Sequence, residues 1–288
     1  MVVAFHPDTD QLKTLLTSLA SQVDSIVVID NSQPAARIDM PPHGPESFEI
    51  IRPGSNIGVA AAINRGIARL VEAGHHRALL LDQDSEPAEN MVATLSCTLQ
   101  DEERNGQSVA AIGPAIRDRC SGKTAPFIQF RLPFNHRIRQ ASGSATCDFL
   151  ITSGTLINLA HWQAIGSMRE PWFIDSIDME WCFRARRKGF AIIGCFDTEL
   201  LHSIGESRNL WSGKHAPRYR HHRPERLYTM MRNRVFLYRS RAPLAWVIQD
   251  LLRTTGKLAL FALIPPRRTH LAQMLKGLRD GIFTRPVP

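Results

Sequence analysis

Ala78-Leu79-Leu80-Leu81-Asp82-Gln83-Asp84-Ser85 is an apolar run of four residues that breaks off in two carboxylates. Such a run reads as a buried strand that leaves the core at a sheet edge. In an open α/β sheet, ligands bind just beyond the carboxyl ends of the strands. Asp82 and Asp84 are therefore expected at the lip of a cleft. Residues two apart in an extended chain project to one side. Two carboxylates aimed together repel unless a cation lies between them, and a hard divalent metal that carries substrate phosphates meets that need. A strand followed by a merely acidic turn is the plainer reading, and the rest of the chain weighs against it.

Upstream, Met1 to Phe5 is apolar and ends at His6-Pro7-Asp8, which predicts a short buried strand. Asp8 and Thr9 can cap the helix that follows, where Leu12, Leu15, Leu16 and Leu19 recur at helical spacing. Ser25 to Asp30 predicts a second strand that runs into Asn31-Ser32. Strand, helix, strand in this order builds a right-handed parallel unit, so Asp30 lands on the same sheet edge. Residues 33–47 are rich in proline and read as loop, and Phe48 to Arg52 as a third strand. Asn56-Ile57-Gly58 then feeds an Ala-rich helix through Asn64. A glycine turn opening a helix offers close backbone approach and a positive terminus for a phosphate or sugar hydroxyl. A helix packed tightly on the sheet explains the same residues. The Lys of a phosphate loop and the glycine spacing of a dinucleotide site are both missing.

Downstream, residues 88–104 have the pattern of an amphipathic helix and Val109 to Ile112 that of a strand. Residues 117–146 read as irregular loop, followed by a turn at Thr152-Ser153-Gly154 into a strand, and by a short helix over Leu159 to Ile165. A second acidic cluster, Asp175, Asp178 and Glu180, precedes Trp181 and a helix with Gly189 as its stop. One carboxylate there would cap the helix; three exceed what a cap needs. A carboxylate at a positive helix end stays ionised, as a general base must. Ala191 to Phe196 predicts a strand, and His202 stands at a later strand end, either structural or a ligand beside the two acidic clusters.

The chain has 288 residues, is 43% hydrophobic, and carries a formal net charge of +8 with a sequence pI of about 9.7. That charge favours an anionic partner: nucleic acid, a phosphate-rich ligand or an anionic membrane. The basic residues concentrate late, with ten Lys/Arg against two carboxylates over 205–241. The acidic motifs meanwhile line the sheet edge where a nucleic acid would lie, which argues against a nucleic-acid binder. Five scattered cysteines indicate neither a zinc site nor a disulfide framework, and so a reducing compartment. With no signal peptide ahead of the first strand and no apolar run of spanning length, a cytoplasmic protein is expected. Residues 244–264 and 267–285 predict a pair of basic amphipathic helices, for docking on an anionic membrane or for packing on the domain or a second subunit.

In this order the motifs resemble the inverting family 2 glycosyltransferases of the GT-A fold, most closely their bacterial rhamnosyltransferase branch. The resemblance covers about residues 1–240, which leaves 241–288 as a C-terminal helical appendage. It is carried by Val2 to Asp8, Val28 to Ser32, Asn56 to Asn64, Leu81 to Ser85, Phe173 to Arg184, His202 to Gly205, and Arg232-Asn233. It implies an α/β fold with a mostly parallel, Rossmann-like sheet flanked by helices, and transfer of a sugar from a nucleotide donor. By resemblance, His6, Asp30, Asn31, Asn56, Gly58, Asn64, Asp82 and Gln83 line the donor pocket, with Asp30 on the base. Asp82, Asp84 and His202 hold a divalent metal, Mg²⁺ or Mn²⁺, and Asp178 is the base. Asp175, Glu180, Trp181 and Arg208 lie on the acceptor side. The family's Glu-Asp pair reads Ile177-Asp178 here, so Asp175 and Glu180 stay open as bases. The donor implied is dTDP-L-rhamnose, with UDP-galactofuranose or a UDP-hexose or hexosamine as alternatives. The acceptor implied is a surface saccharide, free or lipid-linked. A nucleotide-sugar pyrophosphorylase would need a glycine- and lysine-rich loop after the first strand, which the chain lacks.

Overall fold

The computed structural model describes residues 1–41, 44–202, 207–209, 218–220 and 223–284, the two short strands within 203–222 by their backbone only. The chain forms two compact units. The first comprises Met1–Gln129, His136–Phe173 and Ile177–Ser203; the second comprises Phe130–Asn135, Ile174–Ser176 and Ile204–Pro288.

The first unit begins with β1 (Val2–Ala4), α1 (Thr9–Ala20), β2 (Ser25–Asp30), β3 (Ser47–Ile51) and α2 (Gly58–Glu72). Asp8 caps α1 as its sequence predicts, accepting from the Asp10 and Gln11 amides. The apolar run then makes β4 (Arg77–Leu79) and β5 (Leu81–Asp82), followed by β6 (Glu86–Pro87) and α3 (Met91–Arg104). Next come β7 (Val109–Asp118), β8 (Phe127–Gln129), β9 (His136–Ile138), β10 (Ser144–Thr146), β11 (Leu156–Asn158), α4 (Leu159–Ile165), α5 (Ile177–Arg187) and β12 (Ala191–His202).

A parallel sheet runs β3-β2-β1-β5. The second sheet runs β10-β12-β7-β11-β4, with β6 on β12; its pairs are antiparallel except β7 with β12. Aliphatic residues of α1, α3 and both sheets, Leu15, Leu16, Val28, Leu81, Leu95 and Ile112 among them, form one buried cluster. The α/β class with a parallel sheet flanked by helices is as the sequence predicts.

Three local readings are corrected. The run at 78–81 is two strands in two sheets. Leu80 is the pivot: its N–H donates to Thr155 O (2.9 Å) and its C=O accepts from Gly154 N–H (2.8 Å), so the ladder changes partner there. The stretch 117–146 is not a bare loop, since it holds the β8–β9 hairpin and β10. Its strands are three residues long, too short to leave a periodic signature. The strand starting at Ala191 does not stop at Phe196. It passes a register shift between Cys195 and Glu199 and re-pairs with β7 as far as His202 opposite Asp118.

The second unit contains β13 (Ser207–Asn209), β14 (Arg218–Arg220), α6 (Pro224–Arg239), α7 (Leu244–Leu263) and α8 (Arg267–Phe283). Helix α8 lies close on α6 through two glycines. A Cβ on Gly281 would meet Val235 Cβ at 2.7 Å, and one on Gly277 would overlap the Tyr228 carbonyl. Leu227, Met231, Phe261 and Met274 form the buried cluster of this unit. Among the described residues, no helix is long and apolar enough to cross a membrane.

Candidate active site

Register brings the acidic motif and His202 together. Val3 pairs with Asp82 on β5 and Ala4 with Asp30 on β2, so both carboxylates lie at the carboxyl edge of the parallel sheet. Asp82 stands at the strand order's switch point, beside β1. After it the chain turns, with Ser85 N–H donating to Asp82 O (3.2 Å), and enters β6. There Pro87 pairs with Leu200 and Glu86 with Leu201, which sets His202 next to the turn. Ser153, from the turn after β10, supports it from beneath. Its hydroxyl accepts from Asp82 N–H (3.3 Å) and hydrogen-bonds the Ser85 hydroxyl.

The result is a cluster of Asp82, Asp84 and His202 whose ligand atoms all lie within 4.8 Å of one another. His202 Nε2 is 3.9 Å from Asp82 Oδ2, and Nδ1 is 3.6 Å from Asp84 Oδ1. Both exceed hydrogen-bond length, and Nδ1 is buried with no hydrogen-bond partner. An imidazole set between two partly exposed carboxylates, with its Nδ1 orphaned beside Asp84, fits a divalent cation. The donor set, two carboxylate oxygens and one imidazole, suits Mg²⁺ or Mn²⁺ with open positions for a ligand.

Other residues that the sequence assigns to the donor pocket lie around the ends of β1 and β2. Gln83 braces the chain after β1, its Oε1 accepting from Phe5 N–H (2.6 Å). His6 adopts a positive φ of 45° and donates its N–H to Ser32 Oγ (2.7 Å). The Asp30 side chain is wholly buried. Its Oδ1 accepts from Ser32 N–H (3.0 Å) and its Oδ2 from Ala36 N–H (2.9 Å), with Arg52 Nε at 3.6 Å. It thus shapes the loop after β2. Asn31 is buried too, with Nδ2 on Gly58 O (3.3 Å) and Oδ1 unpartnered.

The helix start at Gly58 is not an open anion site. Asn56 Oδ1 accepts from Gly58 N–H (3.0 Å), while the Phe173 carbonyl accepts from Val59 N–H (2.7 Å) and Ala60 N–H (3.3 Å). The donors that a phosphate would use are spent inside the protein. Gly58, at φ +82°, lets Phe173 approach: a Cβ there would lie 2.5 Å from its ring. Asn64 likewise bonds inward, accepting from Met168 N–H (2.9 Å) and donating to Met168 O and Glu170 (both 2.9 Å).

The three carboxylates of the second cluster have separate fates. Glu180 is 1% exposed and ion-paired with Arg184 (2.8 Å), whose other donors go to Ile165 O and Ser167 O (both 2.8 Å). Trp181, also 1% exposed, donates to Gly166 O (3.0 Å) and stacks on Trp162. Both side chains brace α5 from within. In the second unit, Asp175 has a positive φ of 65° and is paired with Arg226 (3.0 Å), and Asn233 Nδ2 donates to Asp175 O (3.0 Å). Asp178, partly exposed in the first turn of α5, accepts from Met179 N–H (2.8 Å). The Arg208 side chain lies outside the described residues, as do Ser203 to Gly205. All five cysteines are free. Burial pushes the Cys182 thiol up to about 12, and Cys147 is pushed up in the same way, so neither is a nucleophile at neutral pH.

The Glu180–Arg184 pair carries a measurable consequence. Arg184→Met leaves the buried Glu180 carboxylate with Arg169 alone, its Nε at 3.8 Å, and should cost about 3 kcal/mol. A lowered urea midpoint at unchanged slope would be the signature.

No family model matches the chain. A dTDP-rhamnosyl transferase of Shigella flexneri is 28% identical over 97% of this chain and 94% of its own length. The structure of GalNAc-T7 with UDP, GalNAc and Mn²⁺ superposes with a TM-score of 0.54 at 12% identity, covering 98% of this chain and 55% of that one. A mannosyltransferase of Pyrobaculum calidifontis with GDP-Man and Mn²⁺ gives 0.53 at 14%, covering 99% and 87%. The structural likenesses establish the fold, and the likeness in sequence runs nearly end to end. The chain is a glycosyltransferase of the GT-A fold.

Proposed function

We propose that this glycosyltransferase is an inverting, family 2 enzyme that moves L-rhamnose from dTDP-L-rhamnose onto a hydroxyl of a surface-polysaccharide acceptor, O-antigen-like and lipid-linked. The observation that carries the reading is the Asp82–Asp84–His202 cluster at the sheet's switch point, in a chain whose end-to-end relative is a dTDP-rhamnosyl transferase. A cytoplasmic enzyme working at the inner face of the membrane goes with such an acceptor.

The chemistry divides among this chain's residues. Asp82, Asp84 and His202 would hold a divalent cation, which when bound neutralises charge developing on the leaving diphosphate. Asp178 takes the proton of the acceptor hydroxyl as that oxygen attacks the anomeric carbon from the face opposite the diphosphate. The C–O bond to the diphosphate breaks with its electron pair, and the anomeric configuration inverts. Ser153 and Gln83 keep the acidic turn and the end of β1 in register, so donor and acceptor meet in one geometry.

The test is a thermal melt against dTDP, UDP and GDP and their sugars, each with Mn²⁺, Mg²⁺ or chelator. A ligand at a hundredfold its dissociation constant adds about 2.7 kcal/mol to the folded state, a readily seen shift. The expected result is a metal-dependent shift with dTDP and dTDP-L-rhamnose alone. A shift confined to UDP-sugars would replace the donor with galactofuranose or a hexosamine. No shift with any nucleotide would overturn the donor assignment.

A further inference from the structure

The sequence predicts two C-terminal amphipathic helices with the same choice of partners, and the second unit separates them. Helix α8 turns Met274, Gly277 and Gly281 into the unit against α6. Helix α7 buries Trp246, Asp250, Thr254 and Phe261 along one stripe. On the opposite side Leu244, Ile248, Leu251, Leu252 and Leu263 stand exposed, from 38% to 78%. Positions four, seven and eight apart share one face of a helix, and among the described residues that face holds no charge.

A second element distant in sequence extends this face. The chain linking β8 to β9, Phe130–Asn135, belongs to the second unit. It is fixed to α7 by Gln249, whose Nε2 donates to Arg131 O (2.7 Å) and Pro133 O (3.4 Å). That link holds out Leu132, 52% exposed, and Phe134, 83% exposed. An exposed phenylalanine at a loop tip beside a leucine stripe is costly in water and needs a cover.

Charge identifies the cover. Residues 241–284 carry seven Lys/Arg and two carboxylates. Both carboxylates are spent internally: Asp250 on Arg234 (2.8 Å) and Tyr238 (2.7 Å), Asp280 on Arg279 (2.9 Å) and Tyr228 (3.1 Å). Arg131, Arg241, Arg253, Arg267 and Arg268 are exposed in the same unit. A second copy would bring like charges together, whereas an anionic surface neutralises them. We infer that the outer stripe of α7 and the 130–135 tip form one face that docks on an anionic phospholipid bilayer, with Phe134 and Leu252 inserted at the interface.

The inference is tested on lipid alone, so its failure leaves the donor reading untouched. The full chain is floated with vesicles of phosphatidylcholine, or of phosphatidylcholine mixed with phosphatidylglycerol. Flotation is expected only with the anionic vesicles, and less so as salt rises. Phe134→Ser/Leu252→Ser should cut the partition about tenfold, at unchanged melting temperature, while Leu275→Ser on α8 should not. Failure of the native protein to float with anionic vesicles would overturn the inference, as would equal flotation of the double variant. So would a native dimer in sedimentation that the double variant makes monomeric, since a second copy would then cover the face.

Discussion

Asp178→Asn is expected to cut turnover by orders of magnitude and to leave donor binding intact. Two of the three carboxylates near the start of α5 are each held by an arginine. Glu180 lies buried with both oxygens turned to Arg184, and Asp175 is bonded by Arg226 through two nitrogens. Asp178 is partly exposed in the first helical turn, where the positive helix end favours negative charge. Asparagine keeps the shape and an oxygen for the Met179 N–H but cannot take a proton. General-base catalysis contributes roughly 10²–10⁴-fold, so kcat should fall by that factor. The metal-dependent nucleotide melt should not move, because the donor cluster is built by other elements. A variant that turns over at the native rate would shift the base to Asp175. Asp175→Asn would then show the loss that Asp178→Asn lacks.

What the sequence discloses about this fold is what short-range pattern can encode. The leucines of α1, the Asp8 cap and the abrupt change from Leu81 to Asp82 are local signals, and the structure has them all. The change of sheet at Leu80 is not local. It arises because Gly154 and Thr155, from a turn far along the chain, take both backbone groups of that one residue. The continuation of β12 to His202 is hidden similarly, since it depends on β7 and β6 as ladder partners beyond a register shift. His202 was readable as a candidate but not its neighbour, because β6 is only two residues long. Ser153 reads in sequence as part of a turn; only the fold places its hydroxyl beneath Asp82. The start of α2 gave a correct helix and a misleading terminus, because nothing near Gly58 announces the Phe173 carbonyl. The inward role of Glu180 did have a signal, the Arg four residues later on one helix face.

Asp84→Ala is expected to remove metal-dependent nucleotide binding while sparing the fold. In the chelated protein, Asp82 and Asp84 place two negative charges close together with His202 between them. Deleting one charge relieves repulsion, so in chelator the variant should melt at or above the native temperature. A decrease there would mean that Asp84 supports structure instead. With Mn²⁺ and dTDP the order should reverse. The native chain gains its ligand-linked stability, about 2.7 kcal/mol at a hundredfold its dissociation constant. The variant, left with one carboxylate and one imidazole, should gain little. Asp82→Ala should lose the same metal response, and His202→Gln should weaken it less, because the carboxylates supply the charge that attracts a hard cation. Calorimetric titration of Mn²⁺ in the presence of dTDP reads the coupling directly. A native-sized metal response in Asp84→Ala would place the cation elsewhere, and the Asp82–Asp84–His202 cluster would then be a structural feature of the sheet edge.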